Sequence, residues 1–305
     1  MLLSFVVPVY HGELTVKPLF EAIKTSCLKY DYSFEVVFVW DCGPDRSWDR
    51  IQEIKQTYPD NVTAIRLSRN FGQHNAIICG FAHAKGDFMV TMDEDLQHDP
   101  DEIKLLVEKQ LETDADVVYG HYPAREHNKF RNTTSWMLKK LLEIGVPDLH
   151  IHYSAYRLLK RDIALATVEM RNSYTFLDGY LSWITNNVTS VVVSHSERQG
   201  GVSSYTIKKL INHSINIFVT FSNLPIKIVT YLSILFFLFT SGYAGYILIE
   251  KLFFNNLIPG FASMIVLLGF GIGSVLFGIS VIGEYIHRIN LKTTKRPNYK
   301  ISQLL

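Results

Sequence analysis

The chain reads as an α/β protein with a mostly parallel sheet and helices on both faces, followed by a helical membrane part with two transmembrane helices. Two observations predict this. Short apolar runs alternate with helix-length segments over the first 120 residues, and two long uncharged runs, 229–249 and 261–283, follow near the end. Strand and helix in alternation favour parallel strands joined by helical crossovers. An uncharged stretch of about 20 residues is long enough to cross a bilayer.

In order, Leu3 to Val9 reads as a buried strand, and Phe34 to Trp40 as the next, with a helical pattern from Glu13 to Tyr30 between them. Val62 to Leu67, Phe88 to Met92 and Val117 to Tyr119 continue the series. After residue 120 a polar loop carrying Arg125, Lys129 and Arg131 leads to helical patterns at 136–144, 161–170 and 174–185, and then to a last strand at 188–193. Apolar Ile207, Leu210, Ile211, Ile215, Phe218 and Phe221 recur at helical spacing, so 205–225 is expected to lie as an amphipathic helix in the bilayer interface. Residues 1–204 then form a cytoplasmic domain, 226–290 the two spans and 291–305 a basic tail. Lys208, Lys209 and Lys227 before the spans, and Arg288, Lys292, Lys295, Arg296 and Lys300 after them, place both flanks on the cytoplasmic side of a multi-pass inner-membrane protein. Gly269, Gly271, Gly273 and Gly278 allow close helix packing, and two spans alone make a thin bundle, so a homo-oligomer is expected.

Composition narrows the chemistry. A formal net charge of +1 gives no reason to expect a nucleic-acid partner. Cys27, Cys42 and Cys79 lack metal or CxxC spacing and read as free thiols in a reducing compartment. The opening Leu2–Val7 is too short for a secretory h-region. No GxGxxG or GxxxxGK[ST] run is present, so neither backbone phosphate cradle is available.

In a parallel sheet, ligands sit beyond the carboxyl ends of the strands. Those ends carry Tyr10, Asp41, the segment 66–70 and the acidic run Asp93-Glu94-Asp95-Leu96-Gln97-His98. If that run is extended, Asp93, Asp95 and Gln97 point to one side and offer hard oxygens to a divalent cation. A solvated turn ahead of a helix would look similar, because Asp99 and Pro100 read as N-cap and first helical residue. His98 is placed to orient the acidic loop, and His150-x-His152 reads as a pair of surface histidines.

Five segments in order resemble family 2 glycosyltransferases of the polyprenyl-phosphate sugar synthase type, which include dolichyl-phosphate mannose synthases and bacterial O-antigen glucosyl-carrier enzymes. Val6-Val7-Pro8-Val9-Tyr10 with Glu13 is similar to VVPVYNE, and 41–47 resembles DDGSxDxT. Ser68-Arg69-Asn70-Phe71-Gly72 matches SRNFG, Met92 to His98 matches MDADLQH, and Arg198-x-x-Gly201-x-Ser203-x-Tyr205 resembles RxxGxSxY. The resemblance implies a GT-A type fold, inverting transfer from a nucleotide sugar to a polyprenyl phosphate, and Mg2+ or Mn2+ as cofactor. It places Pro8, Tyr10, Glu13, Asp41 and Asp93 around the nucleotide sugar, and Asp93, Asp95 and Gln97 around the metal and diphosphate, with Asp95 serving catalysis as electrophilic support.

Two departures stand out. Trp40-Asp41-Cys42-Gly43-Pro44 keeps one acid and moves the glycine, and Ser154-Ala155-Tyr156-Arg157 has Ala155 where the family pattern has an aspartate. Asp178 lies where other family 2 enzymes place their base and is the first catalytic candidate, with Asp148 the second. A phosphate monoester is already largely ionised at neutral pH and needs no base, whereas a hydroxyl acceptor does. Arg125, Arg131, Arg157 and Arg198 are candidates to hold that phosphate. Transfer to a hydroxyl acceptor, such as a lipid-linked sugar or glycerolipid, and nucleotide-sugar binding without turnover are the alternatives.

Overall fold

A computed structural model describes residues 1–122, 150, 152–170, 172, 174–194, 216, 217, 219–222, 224–249, 253, 260–293 and 297–305. Arg125, Arg131, Asp148, Arg198 and most of the amphipathic segment lie outside these residues.

The strands are β1 (Leu2–Val9), β2 (Ser33–Trp40), β3 (Val62–Leu67), β4 (Phe88–Thr91), β5 (Val117–His121), β6 (Arg157–Lys160), β7 (Val188–Val192) and β8 (Ile301–Leu304). The helices are α1 (Val16–Lys29), α2 (Ser47–Thr57), α3 (Gln73–Phe81), α4 (Ile103–Thr113), α5 (Arg161–Glu169), α6 (Leu177–Ile184), α7 (Leu224–Ile249) and α8 (Phe261–Thr293). One eight-stranded sheet runs β7-β5-β6-β4-β1-β2-β3-β8. β1 pairs in parallel with β2 and β4, β2 with β3, and β5 with β7, while β6 and β8 run against their neighbours.

Alternation along β1 divides the core. Leu3, Phe5, Val7 and Val9 enter one apolar layer with Leu19 and Phe20 of α1, Ile51 of α2 and Leu106 of α4. Val6 enters the other with Ile77 of α3, Ala164 of α5 and Tyr180 of α6. A strand covered on both faces must be apolar at nearly every position, as β1 is. Each large side chain so buried stabilises by about 1.5–3 kcal/mol. α3 packs tightly on the sheet at Gly80, where a Cβ would lie 2.3 Å from Val6 Cγ1.

Three elements differ from the sequence reading. β6 is only four residues long and runs directly into α5, so no turn residue marks it. The end of the expected tail is β8, which pairs with β3. α8 extends ten residues past Gly283, and its last turns bond to Asn216, Thr220 and Ser222. Arg288 donates to Thr220 Oγ1 at 2.8 Å and Asn216 Oδ1 at 3.1 Å, and Tyr285 donates to the Ser222 carbonyl at 3.2 Å. In the described part of the amphipathic segment, Ile217 and Phe221 are buried in the layer that holds Tyr180 of α6. Phe221 lies over Gly179, its ring 4.7 Å from that of Trp183.

α7 and α8 contain stretches, Leu224–Tyr243 and Leu267–Asn290, long and apolar enough to cross a membrane, and none of either stretch is buried. A core helix of a soluble domain would hide such a face; here Leu235, Phe239, Phe270 and Val275 are exposed. At 1.5 Å per residue, α7 and α8 run about 39 Å and about 50 Å, against an apolar bilayer thickness of about 30 Å.

Candidate active site

The carboxyl edge of the central strands is closed by interlocking loops. After β1, the Tyr10 and His11 N–H groups donate to Glu94 Oε1 at 3.3 and 3.2 Å, which ties the first loop to the acidic run. Gly12 N–H donates to Ser47 Oγ at 2.8 Å, Glu13 N–H to Asp45 Oδ2 at 3.0 Å, and Arg46 N–H to Glu13 Oε2 at 3.2 Å. Gly43 permits this contact between loops, because a Cβ there would fall 1.6 Å from the Tyr10 carbonyl oxygen. The displaced glycine of the second motif thus has a steric reason.

Asp41 faces inward. It is 3% exposed, and its two oxygens accept from Phe71 N–H at 2.7 Å and Gly72 N–H at 2.8 Å. Burial pushes its carboxyl above the usual range, and the two amides pull it back. Gly72 has φ 90°, a conformation that a side chain would strain. The loop clamped in this way starts α3 with Gln73, whose Nε2 donates to Asp93 Oδ1 at 2.5 Å. Sequence reasoning missed Gln73, because a glutamine at a helix start carries no signal of a partner 20 residues away.

The acidic run is not extended. Glu94 and Asp95 form a turn and Leu96 is left-handed at φ 62°, with its side chain packed against the core. This bend replaces the strand alternation expected for the run. Asp93 and Asp95 both act on the Tyr122 phenol, whose pKa is raised first by burial and then by these two carboxylates. Asp95 Oδ1 also accepts from Gln97 N–H at 3.1 Å. His98 orients the run: its Nδ1 accepts from Asp93 N–H at 3.3 Å, and its ring stacks on those of Tyr156 and Tyr122 at 5.3 and 6.0 Å. Asp99 caps the next turn by accepting from Asp101 N–H at 2.9 Å, with Pro100 in the first helical position.

Among the described residues no group of three His, Cys, Asp or Glu could by itself hold a metal ion. At a diphosphate site one or two carboxylates share Mg2+ or Mn2+ with substrate phosphates and water, so a protein cluster of three is not required there. Asp93, Asp95 and Gln97 lie in and beside the turn at Glu94 and Asp95, and their carboxylate and amide oxygens are the donor chemistry such an ion takes.

Of the other predicted residues, Tyr10 stays at this edge through its backbone, whereas the Arg157 and Asp178 side chains turn into the interior. Pro8 is buried within β1, paired with Val39 of β2. Tyr10 is 42% exposed. Arg157 and Asp178 are buried, 2% and 3% exposed, as an ion pair at 2.5 Å. Tyr119 Oη donates to the same Asp178 oxygen at 2.8 Å. Burial drives the Asp178 carboxyl upward and Arg157 opposes it. The predicted base is thus a buried carboxylate that already holds two partners. Ala155 stands at the sheet edge, its carbonyl accepting from Thr91 Oγ1 at 2.6 Å. His121 stacks on His152 at 4.1 Å, and His150 lies beside the Tyr119 ring at 5.6 Å. Burial is the first cause that lowers the His150 pKa.

Residues 4–166 match the family described as Glycosyl transferase family 2. The chain is 30% identical to a bactoprenol glucosyl transferase of Shigella phage SfX over 99% of both chains. It is 33% identical to an uncharacterised glycosyltransferase of Bacillus subtilis (strain 168), over 98% of this chain and 93% of the other. Among solved structures, glucosyl-3-phosphoglycerate synthase from Mycobacterium tuberculosis, in complex with Mn2+ and UDP-glucose, superposes with a TM-score of 0.53. It is 16% identical and covers 72% of this chain and 77% of that one. Mannosyl-3-phosphoglycerate synthase from Rubrobacter xylanophilus superposes with a TM-score of 0.54 at 14% identity, over 71% of each chain. These likenesses carry the fold, which is of the GT-A type. The chain is a glycosyltransferase and belongs to glycosyl transferase family 2.

Proposed function

We propose that the chain transfers one sugar, with inversion, from a nucleotide-sugar donor to a polyprenyl phosphate at the cytoplasmic face of the inner membrane, using Mg2+ or Mn2+. One observation carries the reading: the turn bearing Asp93 and Asp95 belongs to a domain fastened to two exposed apolar helices through Arg288 and β8. That arrangement brings a soluble donor to a lipid acceptor. The full-length relatives named bactoprenol glucosyl transferase support the same class of acceptor.

Asp93, Asp95 and Gln97 would hold the cation, which when bound neutralises the charge building on the departing nucleoside diphosphate. Gln73 holds the Asp93 carboxylate and His98 its backbone N–H, so that carboxylate is set before substrate arrives. A phosphate oxygen of the acceptor forms the new bond to the anomeric carbon from the face opposite the leaving group, and the old bond's electron pair leaves with the diphosphate. A phosphate acceptor carries its own negative charge at neutral pH, so Ala155 and the interior position of Asp178 leave the reaction intact.

Purified full-length protein incubated with radiolabelled nucleotide sugars and undecaprenyl phosphate should yield an acid-labile lipid-linked sugar from one donor. Label that appears only on a hydroxyl lipid, or on none, would overturn the proposal.

A further inference from the structure

β8 pairs with the outer edge of β3 at the end of the sheet. Ala64 and Leu305 exchange backbone hydrogen bonds at 3.1 and 2.9 Å, and the register continues through Ile65 with Leu304, Arg66 with Gln303 and Leu67 with Ile301. The pairing shifts register between Arg66 and Leu67, and such an irregularity re-aims the chain that follows. It also extends beyond β3, because the Lys300 carbonyl accepts from Ser68 N–H at 2.9 Å. Ser68 is the first residue of the loop that Asp41 clamps at Phe71 and Gly72 and that ends in Gln73, the partner of Asp93. On the same strand, the Arg66 guanidinium lies 5.0 Å over the Trp40 ring, next to Asp41. Asn298 Nδ2 donates to the Met170 carbonyl at 3.0 Å and fixes the approach of the tail.

We infer that β8 is a positioning element for the donor site. It holds one end of the 68–73 loop, Asp41 holds the other, and Gln73 is thereby presented to Asp93. The segment that follows the second apolar helix thus completes the site that grips the nucleotide sugar. The inference rests on the reading of the acidic turn as the donor-diphosphate site.

Gln303→Pro and Gln303→Ala in the full chain test it. Both remove the same side chain, but only proline removes the backbone N–H and fixes φ. Losing pairing at one register position corresponds to about a fivefold effect on a site it supports. Gln303→Pro should therefore raise the KM for the nucleotide sugar about fivefold and leave the KM for undecaprenyl phosphate unchanged. Gln303→Ala should match the parent in both. Hydrogen exchange at the Phe71 and Gly72 amides should quicken in Gln303→Pro alone, whether or not sugar is transferred, which separates failure of this inference from failure of the functional reading. Equal donor KM and equal exchange in the two variants, a rise in both KM values together, or an unfolded Gln303→Pro protein would each overturn it.

Discussion

Asp178→Asn separates a structural role from a chemical one. The asparagine keeps the shape and one acceptor for Tyr119 Oη, but it leaves the Arg157 guanidinium buried without a counter-charge. Breaking a buried pair from one side costs about 3–5 kcal/mol. Because the asparagine oxygen still accepts a hydrogen bond, the lower end, about 3 kcal/mol, is expected. For a domain of this size 1 kcal/mol corresponds to about 2–4 °C, so Tm should fall by about 6–12 °C. The assay is thermal unfolding of the full chain in detergent beside sugar transfer at a temperature well below either transition. Transfer should fall by less than about tenfold, because the site shifts but no proton-transfer group is lost. A general base would show the reverse pattern: unchanged Tm and a rate lower by about 10²–10⁴. That pattern would refute the reasoning. Replacing both partners by apolar residues, Arg157→Met with Asp178→Leu, should recover most of the lost Tm, since the desolvation cost leaves with the charges.

Gly43→Ala places a methyl 1.6 Å from the Tyr10 carbonyl and must part the two loops, so donor KM should rise by about tenfold or more, with a stability loss of about 1–3 kcal/mol. Asp41→Asn turns one acceptor into a donor facing the Phe71 or Gly72 N–H; it should cost about 1–3 kcal/mol in urea unfolding and raise donor KM more than acceptor KM. Gly80→Ala forces a Cβ against Val6 Cγ1, and differential scanning calorimetry should show a loss of about 1–3 kcal/mol with KM values unchanged.

Much of the fold was legible because the burial of β1 to β4 demands largely apolar runs, and such runs are visible in a sequence. β6 and β8 were not, since four residues give too little pattern, and β8 is held largely through its backbone, which any sequence supplies. The site divides in the same way. Asp93 and Asp95 announced themselves by residue type and spacing, but the bend at Leu96, whose side chain packs against a core contributed by distant segments, carries no local mark. The Asp178 partners, Arg157 and Tyr119, lie 21 and 59 residues away and carry no local mark. Asp41 was read as facing the nucleotide, and its backbone clamp on the 71–72 amides emerges only when β2 and β3 are side by side.

The central claim is that the acidic turn holds a divalent cation at the donor diphosphate. Electron paramagnetic resonance of Mn2+ titrated into the full chain, with nucleoside diphosphate present, reads that directly by comparing the parent with Asp95→Ala. The parent should remove one equivalent of free Mn2+ signal per chain, and Asp95→Ala should remove at least about tenfold less at the same concentration. Equal binding by the two proteins would contradict the assignment.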